Sequence, residues 1–358
     1  MNVTDIGKSL FVWATPAEYR GDTQRMAREI AAAGFQTALL HSAYLSTWRT
    51  AERVALVAAL RAEGVRAIGS AAVYGNDPAA EGRQAAGLCK QYNLEAFVFD
   101  AESRWDARPN ADGNTVKLLQ TFRAHAPAGT LAGWCWWPMY KSPSGGTWHP
   151  VSVLRAAMHE QYGDADFGMP MAYWSWGNAA PDAVRYLEAC WKQWREITDK
   201  PIIPAGRAYI GDGGVPNAAA IAAFEARARS LGAAGITWWD YWHAAELGEI
   251  WAALRATPQW AEAAPETAPE PEPARAGLPL VVTATALNVR NGPGTHYPIV
   301  DQLKAGERVA AVDLGGADCW IKIAPGQWAA VQVGGTRFMQ VHQDTEYRLY
   351  LPYVAKED

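Results

Sequence analysis

The chain has 358 residues, of which 49% are hydrophobic and 19% are charged, and its formal net charge is −5. This length favours two domains, and the composition is that of a folded globular protein. The negative charge offers no basic field to a nucleic-acid backbone, which excludes nucleic acid as a partner.

The N-terminal segment MNVTDIGKSLFVWATP lacks a charged start followed by a long apolar run. No stretch reaches the roughly 18 apolar residues of a membrane span. We therefore expect synthesis in the cytoplasm without a signal peptide, and no membrane span. Release from the cell would need another route, such as lysis or a holin. The four scattered cysteines favour buried thiols over a disulfide framework or a zinc site.

Short β-type runs alternate with longer helical patterns over the first 257 residues, which is typical of repeated βα units and a parallel sheet. The predicted strands are Ser9–Ala14, Thr37–Ser42, Val65–Val73, Ala96–Glu102, Leu131–Trp137, Phe167–Trp174, Ile202–Tyr209 and Gly235–Tyr241. Eight units in about 250 residues predict an α/β fold, a (β/α)8 TIM barrel over residues 1–257. No GxGxxG follows the first strand, which argues against a dinucleotide-binding fold.

Residues 258–278 are rich in Pro, Glu and Ala and predict a semi-extended linker. From Leu280 the pattern changes to alternating β residues separated by Gly and Pro turns, which predicts a small all-β, SH3-like barrel over 279–345. Residues 346–358 form a tail with a β-like apolar run, which could complete a sheet or meet a partner.

The second domain carries a specific motif. The run ALNVRNGPGTHYPIV from Ala286, followed by LKAGE from Leu303 and a strand with Trp320, closely resembles bacterial SH3 (SH3b) domains. The resemblance implies binding to a cell wall or another surface polymer. A domain used only for packing remains the alternative.

The predicted fourth strand ends in Phe97-Val98-Phe99-Asp100-Ala101-Glu102. Residues two apart share a face, so the two phenylalanines should meet the helices and the two carboxylates should enter the barrel mouth. Two neighbouring negative charges oppose each other, so the pKa of one carboxyl group rises. That group can then keep its proton at neutral pH and act as a general acid. The Cβ atoms of Asp100 and Glu102 should be about 6–7 Å apart, a spacing from which the two carboxyl groups can act together in glycoside cleavage. Alternatively, the carboxylates could only bind Arg104, Arg207 or loop amides.

This Asp-X-Glu motif resembles that of the family 25 glycoside hydrolases, the lysozymes and phage endolysins that cleave the muramic acid linkage of peptidoglycan. The resemblance implies Glu102 as general acid and Asp100 as its partner, aligning an N-acetyl group or stabilising the cation. Those enzymes carry an Asp on the first strand, where this chain has none. Asp240, on the predicted eighth strand, is a candidate to replace it as a third catalytic residue.

Aromatic and polar side chains near the predicted strand ends are candidates to bind a sugar, because aromatic faces stack on pyranose rings. These candidates are Trp13, His41, Trp136, Tyr173, Trp174, Trp176, Tyr209, Trp238 and Trp242. Packing inside the barrel is the alternative role for each. The seven histidines form no HxH or HExxH and no GxSxG is present, so neither a metal, a cofactor nor a serine nucleophile is predicted.

Two functions remain open. The first is a glycan hydrolase of lysozyme or endolysin type that acts on peptidoglycan or another polysaccharide, at the cell wall or in a phage particle. The second is a non-catalytic carbohydrate-binding protein that kept the barrel and lost one acid. Barrel enzymes of another class are a third possibility, and the oligomeric state stays open.

Overall fold

The computed structural model divides the chain into two compact units, Met1–Ala264 and Pro265–Asp358. The predicted linker lies largely outside the described residues and the predicted tail wholly outside them, so the predicted domain boundaries stay a prediction. The described residues are 1–13, 22–142, 145–158, 165–211, 214–260, 278–290, 294–295, 297–311, 313–315, 319–324, 327–333 and 336–341.

Strands and helices alternate through the first unit. Its strands are β1 (Gly7–Val12), β2 (Thr37–Ser42), β3 (Arg66–Val73), β4 (Ala96–Ala101), β5 (Leu131–Trp136), β6 (Phe167–Pro170), β7 (Ala205–Arg207) and β8 (Gly235–Trp239). Its helices are α1 (Thr23–Ala32), α2 (Ala51–Ala62), α3 (Pro78–Tyr92), α4 (Ser103–Asp106), α5 (Ala111–His125), α6 (Val151–Met158), α7 (Ala180–Arg195), α8 (Ala218–Ser230), α9 (Tyr241–Glu246) and α10 (Gly248–Ala256). Among the described helices, none is long and apolar enough to cross a membrane.

The eight strands form one sheet in the order β6-β5-β4-β3-β2-β1-β8-β7, and every pairing is parallel. A parallel bridge between Gly168 and Ile202 brings β6 to the segment before β7. The sheet is therefore a near-closed barrel, which confirms the predicted fold class.

Helix ends follow the local signals of the sequence. Asp22, Asp77 and Asn217 each accept a hydrogen bond from a backbone N–H in the first turn of α1, α3 and α8, respectively. Gly34 and Gly64 lie just beyond α1 and α2 with φ of 76° and 75°, a left-handed conformation that glycine adopts without strain.

Side chains alternate across the barrel wall. On β4, Val98 packs in the barrel interior, whereas Phe97 and Phe99 pack in the outer layer with Phe122 of α5. This arrangement follows from the period of two along a strand. It turns the inward face of β4 toward the mouth of the barrel.

The described residues of the second unit form short strands. They are β9 (Leu278–Val282), β10 (Ala286–Arg290), β11 (Ile299–Lys304), β12 (Arg308–Ala311), β13 (Asp313–Gly315), β14 (Cys319–Ala324), β15 (Gln327–Val333), β16 (Thr336–Arg337) and β17 (Met339–Val341). They build two antiparallel sheets, one in the order β11-β10-β15-β14-β13 with β16 beside β15, the other in the order β12-β9-β17. The unit has its own core, which includes Leu280, Val289, Trp320 and Met339.

Lys8 of β1 joins the start of the barrel to its end. Its side chain is fully buried, and Nζ donates to the carbonyl oxygens of Ala33 (3.1 Å), Leu254 (2.6 Å) and Thr257 (2.9 Å). Ala33 follows α1, whereas the other two carbonyls lie in α10 and directly after it. Burial lowers the pKa of Lys8 to about 8. One side chain thus binds the last turns of the first and last helices to the sheet.

Replacement of this residue, Lys8→Met, should lower the free energy of unfolding by roughly 2–3 kcal/mol, because it removes the donor that buried carbonyl oxygens share. Urea denaturation measures the change. Lys90→Met on the exposed face of α3 is the control and should leave stability unaltered. Equal stability of Lys8→Met and the wild type would contradict the assigned role.

Candidate active site

Two carboxyl groups follow each other at the mouth end of β4. Asp100 lies on the strand and is 7% exposed, and its Oδ1 has no hydrogen-bond partner among the described residues. Glu102 directly precedes α4 and is exposed at the opening. Cys135 of the neighbouring strand β5 is the register partner of Asp100 in the sheet.

Burial and, after it, the charge of Glu102 raise the pKa of Asp100 to about 8, whereas the neighbouring Cys135 thiol opposes the shift. Desolvation by the surrounding walls also raises the pKa of Glu102. Because each negative charge disfavours the other, the pair titrates as a unit and retains one proton near neutral pH. A shared proton of this kind is available for general acid catalysis.

A cavity of about 360 Å³, here the first cavity, opens on one side of Glu102. Its lining comes from the ends and loops of β1 to β4 and of β8: Trp13, His41, Ala43, Tyr44, Ala72, Val73, Tyr74, Asp100, Glu102, Ser103, Arg104 and Trp239. Both carboxyl groups therefore belong to this cavity.

A second cavity of about 400 Å³ opens on the other side of Glu102. Its lining comes from β4 to β7 and their loops: Glu102, Trp137, Pro138, Met139, Trp148, His149, Met171, Tyr173, Ser175, Tyr186 and Tyr209. Glu102 thus lies in the wall of both cavities. A linear polymer bound across the barrel mouth would pass over the Glu102 carboxyl group.

His41 is a buried neutral group beside the acids. Burial, and after it the charge of Arg53, lowers the pKa of His41 to about 3. Its Nδ1 lies 3.0 Å from Ser70 Oγ and its Nε2 lies 3.8 Å from Asp100 Oδ2. The ring therefore does not neutralise Asp100 by an ion pair, and the high pKa of the aspartate persists.

Three predicted sugar-binding tryptophans require correction. Trp136, Trp174 and Trp238 are fully buried in the layer between the strands and the helices. Trp136 packs against Trp194 of α7, and the other two pack against Phe224 of α8. Trp136 and Trp238 occupy outward positions of β5 and β8, and Trp174 follows β6, so packing, the alternative considered for each, is their role.

Asp240 also requires correction. It is fully buried at the start of α9, where Oδ1 accepts hydrogen bonds from the backbone N–H of His243 (3.2 Å) and lies 2.6 Å from its Nδ1. Burial raises its pKa. Because the carboxyl caps the helix and lines neither cavity, it does not replace the missing acid of the first strand.

The other predicted residues divide into two groups. Trp13, His41, Tyr173 and Tyr209 line the cavities. Trp176 and Trp242 line neither: Trp176 packs edge-on against Tyr186, and Trp242 packs beside Trp13 while its Nε1 donates to Glu246. These two rings support residues of the cavities.

Three tryptophans that line the cavities were not among the predicted site residues: Trp137, Trp148 and Trp239. Trp137 lines the second cavity and Trp239 lines the first. Each directly follows a predicted sugar-binding tryptophan, Trp136 or Trp238, that is buried between the strands and the helices. The two-residue alternation of side chains that was applied to β4 would have predicted that Trp137 and Trp239 face inward.

Asp106 of α4 holds the wall of the second cavity. Its Oδ2 accepts from Trp137 Nε1 at 2.8 Å and lies 3.3 Å from His149 Nδ1, and Oδ1 accepts from Trp136 Nε1 at 3.1 Å. The His149 ring stacks on Trp137 at 4.2 Å. Beside them, Trp148 is 51% exposed. An exposed indole next to a fixed one suits a planar sugar face.

Among the described residues, no group of three or more His, Cys, Asp or Glu is arranged to hold a metal ion.

Comparison with known proteins identifies the second unit and the fold of the first. The family model of the bacterial SH3 domain matches residues 285–337, which confirms the SH3b prediction. No curated protein matches the chain.

Several solved structures resemble the barrel. A GH18 chitinase from Pseudoalteromonas aurantia is 13% identical, with a TM-score of 0.51, over 68% of this chain and 98% of its own. A GH18 chitinase from Cycas revoluta in complex with (GlcNAc)3 is 14% identical, with a TM-score of 0.50, over 70% of this chain and 98% of its own. The spore cortex-lytic enzyme SleL of Bacillus cereus is 12% identical, with a TM-score of 0.50, over 69% of this chain and 74% of its own.

At these identities the likeness shows the fold alone, a (β/α)8 barrel of the kind that glycoside hydrolases use. The resemblance to family 25 in particular stays a prediction from the Asp-X-Glu motif.

The Asp100 carboxyl should make stability depend on pH. Its pKa is about 8 in the folded chain, against an ordinary value of 3.8, so the folded state binds the proton more tightly and stability falls as pH rises between these values. Asp100→Asn should match the wild type near pH 4 and exceed its free energy of unfolding by on the order of 5 kcal/mol above pH 8. Asp199→Asn, at an exposed site, is the control for thermal unfolding across this range. A difference independent of pH would contradict the burial argument.

Proposed function

We propose that the protein is a glycoside hydrolase that cleaves a glycan of the bacterial cell wall, with Glu102 as the general acid. The observation that carries the proposal is the position of Glu102 in the shared wall of two cavities, directly beside a buried carboxyl group. A glycosidic oxygen held over Glu102 would have one sugar in each cavity. Both volumes lie within the range of ligand pockets, about 300–1,000 Å³.

The first step is proton transfer. Glu102 gives its proton to the bridging oxygen as the bond from C1 to that oxygen breaks, and positive charge develops on the sugar ring. Water completes the hydrolysis at C1, and the carboxylate of Glu102 takes back a proton from it. The raised pKa of Glu102 keeps it protonated closer to neutral pH than an ordinary glutamate.

Asp100 and Glu102 approach the substrate from the same side, because Asp100 lies on the inward face of β4, Glu102 follows directly after the strand, and both line the first cavity. This differs from the arrangement in which two carboxylates flank the scissile bond. Asp100 therefore fits the role of holding an N-acetyl group of the substrate, whose carbonyl oxygen can approach C1, and of stabilising the developing charge. The substrate class that this favours is a glycan with N-acetylated sugars.

The cavity walls suit such a substrate. Trp13 and Tyr44 are exposed by 39% and 48% at the first cavity, and Trp239 packs between Trp13 and His41. At the second cavity, Tyr173 and Tyr209 meet edge to face at 5.7 Å. Aromatic faces and phenolic hydroxyls together bind the apolar and polar sides of sugar rings.

The SH3 unit supports action at a wall. We propose that it tethers the barrel to the polymer that the barrel cleaves, which raises the local concentration of enzyme at its substrate. The names of two fold neighbours, a chitinase with bound (GlcNAc)3 and a spore cortex-lytic enzyme, are consistent with an N-acetylated cell-wall glycan.

A non-catalytic carbohydrate-binding protein is the second candidate function. It is favoured by the absence of an acid on β1, which reads GKSLFV, and by the capping role of Asp240, which leaves that acid unreplaced. Release of new reducing ends from a glycan separates the two candidates.

Glu102→Gln should reduce the release of reducing ends from purified peptidoglycan by about 100-fold or more, because the amide cannot donate the proton. Glu95→Gln, at the opposite end of the β4 segment, preserves the catalytic pair and should retain wild-type activity. Full activity of Glu102→Gln would exclude its role. An inactive wild type that still binds cell walls would favour the binding protein.

The pH profile should report the coupled pair. Wild-type kcat/KM should decline as pH rises through about 8, where the pair loses its shared proton. Asp100→Asn removes the neighbouring negative charge, lowers the pKa of Glu102 and should shift the alkaline limb to lower pH. An unchanged limb in Asp100→Asn would show that the two groups do not interact.

The role of the SH3 unit is testable because each unit has its own core. A chain that ends at residue 264 should retain turnover of soluble glycan fragments and lose most sedimentation with cell walls. Sedimentation equal to that of the full chain would assign wall binding to the barrel.

A further inference from the structure

Among the described residues that line the first cavity, Arg104 is the one that carries a positive charge beside the acid pair, since His41 is neutral. It lies in α4, two residues after Glu102, and is exposed. Its guanidinium carbon is 5.3 Å from the centre of the Tyr74 ring. The Tyr74 hydroxyl donates to the carbonyl oxygen of Ala43 at 2.8 Å, and the ring packs against Tyr44 at 5.2 Å. Arg104 is thus supported by a fixed aromatic wall.

The donors of Arg104 remain available to a ligand. In the part of the chain that the structure describes, its side chain makes no ion pair and no hydrogen bond, and the acid pair is not neutralised by it. Arg108, one turn further on, differs: its Nε donates to the Tyr74 carbonyl oxygen at 2.7 Å and its Nη2 donates to Asn76. Two neighbouring arginines therefore have separate roles, one in the loop and one in the cavity.

A neutral sugar offers no group that matches this cation. A guanidinium binds a carboxylate through two parallel hydrogen bonds, which combine charge with planar geometry. Stacking on Tyr74 orients the plane of the guanidinium and lowers the entropy lost when such a ligand binds.

We infer that Arg104 recognises a carboxylate carried by the sugar in the first cavity, so that the enzyme selects an acidic glycan over a neutral one. This inference rests on the proposed function. In a cell-wall glycan the carboxylate can belong to the lactyl ether of a muramic acid that carries no peptide, or to an acidic residue of the peptide where the lactyl group is amide-linked to one. The shared chemistry is a carboxylate at the edge of an N-acetylated sugar.

The test measures kcat and KM of the full chain on three substrates: peptidoglycan strands stripped of peptide, intact peptidoglycan fragments, and neutral chitooligosaccharides. Arg104→Gln should lower kcat/KM by about tenfold or more, mainly through KM, on the acidic substrate that presents the recognised carboxylate, and should leave the neutral substrate unaffected. Arg104→Lys should recover part of the loss, because it retains the charge without the planar fork. Arg83→Gln, on the exposed surface of α3, is the matched control for loss of one positive charge.

A loss on stripped strands identifies the lactyl carboxylate, and a loss on intact fragments alone identifies the peptide. Equal losses on acidic and neutral substrates, or no loss on either acidic substrate, would overturn the inference. Equilibrium binding to stripped strands separates it from the proposed function. If the wild type cleaves nothing but binds the strands about tenfold more tightly than Arg104→Gln, hydrolysis fails and carboxylate recognition stands.

Discussion

The alternation of side chains along the barrel strands is the constraint on which the site depends. In a closed parallel sheet each residue faces either the interior or the helical layer, and a shift of one residue exchanges the two. On β4 this alternation buries Phe97 and Phe99 under the helices and directs Asp100 into the mouth. The packing of the aromatic layer and the placement of the acid therefore have the same cause.

The acid pair is costly to the fold, and among the described residues no charged cation forms an ion pair with it. His41, whose Nε2 lies 3.8 Å from Asp100 Oδ2, is buried and neutral, and Arg104 lines the cavity. Burial in the low-dielectric interior disfavours the charged form of Asp100 and so keeps its pKa high. Ionisable groups that the fold holds in an unfavourable state are typical of functional sites, where chemistry rather than stability accounts for them.

The aromatic walls could be predicted only in part from the sequence. The many tryptophans near the strand ends indicated a sugar-binding surface, yet adjacent tryptophans face opposite sides of the barrel wall. Trp136 and Trp238 fill the outer layer, whereas Trp137 and Trp239 face the cavities. Hydrophobicity does not distinguish adjacent tryptophans, and only the register of each strand does. Trp148, from the loop before α6, could not be placed from its sequence neighbourhood at all.

The sequence by itself determined the βα repeat, the helix caps at Asp22 and Asp77, the SH3 motif and the inward face of β4, because each depends on local periodicity or on residues close in the chain. The tertiary structure decided which residues meet. It brought the loops after β1, β2, β3 and β8 to one side of Glu102 and those after β5, β6 and β7 to the other, and it assigned Asp240 to a helix cap. Barrel closure sets those neighbours, since strands far apart in sequence share one rim.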